Sequence, residues 1–237
     1  MQKPFLTADW RNLIMINYEV LPAVLQPYLP KGIELDLFEG KAYVSLVAFH
    51  FLNTKVVGIG FPFHKDFEEV NLRFYVKYKK GNVWKRGVVF ISEIVPKKMI
   101  GWVARVFYKE KYTYAPMKSS VKEREKRRLF FSWGEGMPNS MDVLTEAVTQ
   151  SMPAGSKEEF IFEHYWGYTS LPGNKTGEYR VEHPSWKIYP VLDAKLKVDF
   201  KQLYGDDFSF LNSEKPDSVF VAEGSPVNVY ARRILKS

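Results

Sequence analysis

The stretch "FEEVNLRFYVKY", Phe67 to Tyr78, decides how this chain is read. Successive side chains of a strand point to opposite faces. Glu69, Asn71, Arg73, Tyr75 and Lys77 therefore share one face. After Glu68, the residues Val70, Leu72, Phe74 and Val76 share the other, which is the face of a core. The polar face has two readings. On an open antiparallel sheet it meets water. In a closed barrel it lines a cavity, where Glu69, Arg73 and Tyr75 would position a ligand. A carboxylate two residues from a guanidinium also keeps both charges compensated.

The same periodicity extends along the chain. "KAYVSLVAFHFL" and "RGVVFISEIV" flank the opening stretch and read as strands. Further strands are expected at "TYAPMKSS", "KRRLFFSW", "EEFIFEHYWGYT", "GEYRVEHPSWKIYPV", "KLKVDF" and "SVFVAEGSPVNVYARRIL". Pro22 to Tyr28 reads as a short helix, opened by one proline and closed by Pro30 and Gly32. With 18 Phe, 14 Tyr and 6 Trp, the composition favours strands. The 237 residues are read as a single domain, residues 1–237. It is mainly β, an antiparallel barrel with a few short helices. Parallel βαβ alternation is absent.

A second stretch carries potential chemistry. In "SEIVPKKMIGW", Ser92 to Trp102, Lys97 and Lys98 follow Pro96, a residue favoured at a helix start. Met99, Trp102, Val103 and Val106 continue at helical spacing. Two ammonium groups side by side at the positive end of a helix dipole disfavour each other's charge. A lysine made neutral in this way can form a Schiff base with a ketone. The plain alternative is two solvated lysines at a helix start.

Composition excludes several classes. With zero cysteines there is neither a disulfide framework nor a thiolate zinc site. The four histidines, His50, His64, His164 and His183, show no HxH or HExxH spacing, so no metal site is expected. No cofactor motif is present: "GIGF" is too short for a dinucleotide loop, and GxSxG and GxxxxGK[ST] are missing. No apolar run is long enough for a membrane helix, and "MQKPFLTADWRN" lacks a signal-peptide core. A cytoplasmic protein without a membrane partner is expected. The net charge is +7, and "KSSVKEREKRRLFF" holds six basic and two acidic residues. No nucleic-acid motif accompanies this run, so it reads as a charged hairpin rather than a nucleic-acid site. A positive field also favours small anions.

The chain resembles the YqjF-like family, whose function is unknown. "WRNLIMINYEV", "LQPYLPKGIELDLFEGKAYVSLVAF", "FEEVNLRFYV", "RGVVFISEIV" with "VARVFY", "FIFEHYWGYT", "VEHPSW" and "VAEGSPV" carry the resemblance in order. It implies the acetoacetate decarboxylase-like fold, a mostly antiparallel barrel around an internal cavity. "FEEV" and "PKK" look like the decarboxylase's active-site segments. That likeness would give Glu69 the place of a catalytic glutamate, Lys97 that of the Schiff-base lysine and Lys98 that of its neighbour. The spacing from Glu93 to Pro96 is shorter than in the decarboxylase. His183 and Trp186 in "VEHPSW" match the family pattern. Glu163 and Tyr165 alternate onto one face in "FIFEHYWGYT" and would share a cavity with Glu69; the plain alternative is the surface face of an antiparallel strand. The expected partner is a small anionic or oxygen-rich ligand, contacted by Asn71, Arg73, Tyr75, Glu163, Tyr165 and His183. The alternative is a lysine Schiff-base enzyme acting on a β-keto acid, with Lys97, Lys98 and Glu69 as its catalytic groups.

Overall fold

Long alternating segments become long strands in the computed structural model, which describes residues 3–60, 65–96 and 112–235. The first is β1 (Leu6–Val20), followed by a short helix at Pro22–Leu25 and a 3-10 turn at Gln26–Tyr28. Then come β2 (Glu34–Leu35), β3 (Ala42–Val56), β4 (Phe67–Lys80) and β5 (Val83–Val95). After residue 111 the chain forms β6 (Tyr112–Tyr114), β7 (Met117–Glu123), β8 (Lys126–Trp133), β9 (Asn139–Glu146) and β10 (Gln150–Ser151). The last part holds β11 (Trp166–Leu171), β12 (Lys175–Glu182), β13 (Lys187–Tyr189), β14 (Val191–Lys197), β15 (Ser218–Val229) and β16 (Arg233–Ile234).

Pairing runs β15–β1–β3–β4–β5–β11–β12 and then returns to β15 through Val181↔Val229 and Glu182↔Asn228. The circuit is closed. One joint of the circuit is not antiparallel: β5 and β11 pair in parallel, Trp166 with Gly87 and Gly167 with Val88. β6 also joins β5 in parallel. These two strands do not follow β5 through a tight hairpin, so the antiparallel rule does not bind them. A second, antiparallel sheet has the order β14–β9–β8–β7.

The two faces of β4 go to two different cores. Val70, Leu72, Phe74 and Val76 pack with Ile14, Ile16, Leu129, Phe131, Trp133, Met141 and Val143, between the circuit and the second sheet. The other face turns inward, with Met15, Val47, Phe49, Tyr75, Val88 and Phe162. The second sheet is what covers the outer face, and closure of the circuit is what encloses the inner one.

A bulge in β1 helps to fix this geometry. The β1–β3 register shifts between Arg11 and Ile14, and Asn12 sits there at φ 60°. On the other side of β1, Gly224 of β15 faces Arg11 with φ +79°, and a Cβ on it would lie 2.0 Å from the Trp10 carbonyl oxygen, so only glycine fits. Asn12 accepts a hydrogen bond from Arg127 and binds His50 Nδ1 at 3.0 Å, which ties the second sheet to β1.

The first part of the expected strand "EEFIFEHYWGYT" lies instead in a helix, Lys157–Phe162, and only its end is strand, in β11. Ser156 caps the helix by accepting from the Glu159 N–H at 3.2 Å, and Glu159 Oε2 accepts from the Gly155 N–H at 2.7 Å. This capping chemistry outweighs the β propensity of Phe160, Ile161 and Phe162, which the helix buries. No described helix is long and apolar enough to cross a membrane. In the basic run, Arg127 pairs with Glu123, and Arg128 holds Asp142 through bonds of 2.7 and 2.5 Å.

Candidate functional site

All seven strands of the circuit contribute to one cavity, with a volume of about 90 Å³. Its polar wall starts from β4. Glu69 and Asn71 are 3% and 1% exposed, and Arg73 follows on the same face. Glu93 of β5 lies opposite Asn71, and Tyr112 of β6 lies opposite Glu93. Strand register, rather than proximity in sequence, therefore gathers two carboxyls, an amide, a phenol and a guanidinium.

The electrostatics follow from burial. Asn71 Nδ2 donates to Glu69 Oε1 at 2.9 Å. Burial pushes the Glu69 carboxyl up to about 7, against the downward pull of Asn71, of the Arg73 charge and of a hydrogen bond with Tyr112. The Tyr112 phenol is held well above its usual range, first by burial and then by the charges of Glu69 and Glu93. It stays protonated at neutral pH and can donate. Arg73 makes no ion pair with any described carboxylate. One Nη lies 3.6 Å from Met15 Sδ, and the guanidinium carbon is 5.9 Å from the Tyr75 ring centroid. Its buried Nε has no hydrogen-bond partner among the described residues.

The remaining walls are largely aromatic. Trp10 meets Phe49, Phe51 and Trp186 edge-on at 5.3, 5.6 and 6.4 Å. His183 stacks on Trp186 at 4.0 Å and donates from Nδ1 to the Pro184 carbonyl at 2.9 Å. Burial lowers its pKa, so the ring lines the cavity as a neutral group. At Gly167 an added Cβ would fall 2.0 Å from the Tyr179 ring, so the missing side chain makes room for that phenol.

The expected site residues divide into three sets. Glu69, Asn71, Arg73 and His183 line the cavity together. Tyr75 does not. Its hydroxyl is 2.5 Å from Ser45 Oγ, which donates to Asn17 at 2.6 Å, and its ring serves as a platform behind the wall. Glu163 and Tyr165 also lie outside the lining. The helix end places Glu163 at the C-cap, and the Tyr165 hydroxyl donates to Glu163. Tyr165 instead borders a neighbouring open pocket with Arg180, Glu182 and His183. Lys97 and Lys98, like His64 and the helical spacing from Met99 to Val106, lie outside the described residues.

Four titratable lining residues are absent from the expected site: Glu93, Tyr112, His164 and Tyr179. Glu93 carried a signal, since it alternates with Ile94 in "SEIV". His164 carried none, because its partner Asp36 is 128 residues away.

Residues 7–226 match the model of the DUF2071 family, described as an uncharacterized conserved protein. The chain belongs to this family. Within its reach, the uncharacterized protein YqjF of Bacillus subtilis (strain 168) is 32% identical over 197 residues, covering 80% of this chain and 77% of that protein. Solved structures share the family member's fold at lower identity. Acetoacetate decarboxylase from Legionella pneumophila superposes with a TM-score of 0.65 at 14% identity, covering 99% of this chain and 88% of that one. The enduracididine biosynthesis enzyme MppR, complexed with pyruvate, gives 0.68 at 12% identity, over 100% and 92%. An acetoacetate decarboxylase-like enzyme from Sphingomonas wittichii RW1 gives 0.64 at 12%, over 99% and 94%. The fold is of the acetoacetate decarboxylase-like type.

Proposed function

We propose that the cavity binds a small carboxylic acid rich in oxygen. The observation that carries this reading is Arg73, a guanidinium on the cavity wall with no described carboxylate in ion-pair range. A half-buried guanidinium of this kind, with its Nε enclosed and unpartnered among the described residues, favours an anion. The volume of about 90 Å³, at roughly 10–15 Å³ per water, corresponds to about six to nine waters, the size of a three- to five-carbon acid. Asn71 and Glu69 supply further hydrogen bonds, and the aromatic walls cover the apolar end. Calorimetric titration with pyruvate and acetoacetate, against neutral acetone, tests it. Arg73→Met should weaken the acids at least tenfold and leave acetone unchanged. Equal loss for all three, or no binding of either acid to the native protein, would overturn the reading.

A second reading is lysine-dependent decarboxylation. It draws on the raised pKa of Glu69, on Glu93 four residues before Lys97, and on the shared fold with acetoacetate decarboxylase. The Lys97 amine would add to the ketone of a β-keto acid and expel water. The iminium would take the electron pair of the breaking C–C bond as carbon dioxide leaves, and neutral Glu69 would return a proton to the enamine carbon. Lys98 would keep Lys97 neutral. Borohydride reduction with acetoacetate, followed by peptide mass spectrometry, should find an adduct on Lys97 that Lys97→Ala abolishes. A folded protein with no adduct on either lysine removes this reading.

A further inference from the structure

Behind the cavity wall, Asp36 collects three cationic or polar partners. Arg86 Nε donates to Asp36 Oδ2 at 2.6 Å, His164 Nε2 lies 3.2 Å from the same oxygen, and Lys77 Nζ is 3.7 Å from Oδ1. Burial alone would raise the Asp36 carboxyl, but the hydrogen bonds from His164 and Arg86 outweigh it and hold the group ionised. An ionised carboxylate only accepts, so His164 Nε2 carries the proton and Nδ1 keeps its lone pair. The His164 side chain is 1% exposed, and Nδ1 has no hydrogen-bond partner among the described residues. Asp36 is not part of the cavity lining, whereas His164 is. The ring is therefore anchored behind the wall by one nitrogen, and the residue that carries the other borders the polar cavity. The Tyr75 ring at 4.8 Å and the edge-on Phe160 ring at 5.1 Å hold its plane. The same Tyr75 ring is bordered by Arg73.

We propose that His164 Nδ1 accepts a hydrogen bond from the hydroxyl or enol O–H of the acid whose carboxylate Arg73 holds. The preferred ligand is then a hydroxy acid, or a keto acid in its enol form, over the matching deoxy acid. This inference rests on the carboxylate reading of Arg73. Burial lowers the His164 pKa to about 4 in spite of Asp36, and the charges of Arg86 and Arg73 add to this, so the acceptor is not lost to protonation at neutral pH. An acceptor buried without a partner is costly, and a site built that way discriminates against ligands lacking the donor.

The test is two-bond ¹H–¹⁵N spectroscopy of the histidine-labelled protein at pH 7, where only four imidazoles contribute. His164 should show the Nε2–H tautomer. Titration with 3-hydroxybutyrate should move its Nδ1 resonance upfield, and butyrate should not. Calorimetry should give about tenfold tighter binding of 3-hydroxybutyrate, a preference that His164→Phe removes while Arg73→Met weakens both acids. A proton on Nδ1 in the free protein overturns the inference without reference to any ligand. Equal binding of the two acids with a stationary Nδ1 overturns it and leaves the Arg73 reading standing. Binding of neither acid overturns it, and the Arg73 reading is then decided by the pyruvate and acetoacetate titrations. The native-protein spectra decide the matter even if His164→Phe does not fold.

Discussion

Glu69→Gln should change the pH dependence of stability in a direction the cavity dictates. The native carboxyl is raised from 4.5 to about 7 because burial penalises its charge. Between those values the folded state binds a proton that the unfolded state does not, so stability falls as pH rises through the window. A carboxyl moved that far stores roughly 3 kcal/mol at 1.36 kcal/mol per pH unit. Because Glu69 is only 3% exposed, solvent screening takes little from this. Gln copies the neutral form at every pH. The stability difference, variant minus native, should therefore rise by about 3 kcal/mol in favour of Gln between pH 4 and pH 8. Urea unfolding of both proteins across this range measures it, and titrating groups that do not interact with Glu69 cancel in the difference. A difference that stays flat from pH 4 to pH 8 would refute the argument. It would mean that Glu69 is well solvated, and the enclosed polar wall would go with it.

Other expectations follow from single contacts. Glu178→Gln leaves Lys85, which is bonded to both carboxylate oxygens at 2.7 and 2.8 Å and seated 3.8 Å from the Trp166 ring centroid, as an uncompensated charge. The loss should be about 3 kcal/mol in urea unfolding, and a loss near zero would show that solvent reaches Lys85. Ser156→Ala removes the cap of the Lys157–Phe162 helix and should cost about 1 kcal/mol, whereas Ser156→Asp should cost far less. Gly167→Ala drives a methyl into the Tyr179 ring and should lower the melting temperature with a loss of at least about 2 kcal/mol. Tyr179→Ala in the same background should recover part of it. Fluorescence anisotropy with a labelled DNA duplex should show no steep salt-dependent binding, since Arg127 and Arg128 are already paired.

Local patterns carried much of the fold. Alternation located β3, β4, β5 and β8 to within a few residues, and proline placed the turn of helix at Pro22. The strand β9, with Asn139, Met141, Val143 and Thr145 as its buried alternates, is not among the expected strands, because "NSMDVLTE" is only weakly hydrophobic. In "EEFIF" the β propensity of "FIF" points to a strand, while the capping signal "SKEE" around its start points to the helix that forms. Propensity is a weak prior, and a satisfied helix terminus outweighed it here.

By itself, the sequence determined that Glu69, Asn71 and Arg73 share one face of a strand, because side-chain alternation is a property of the backbone. It could not determine whether that face meets water or a cavity. That choice fell to the parallel β5–β11 joint and to the β12–β15 pairing that closes the circuit, both made between segments far apart in the chain. Tertiary structure also decided which polar groups complete the wall. Glu93 and Tyr112 arrive through strand register, and His164 is oriented by Asp36 from a distant loop. Each of these contacts needs two segments to be brought together, and no local periodicity encodes that distance.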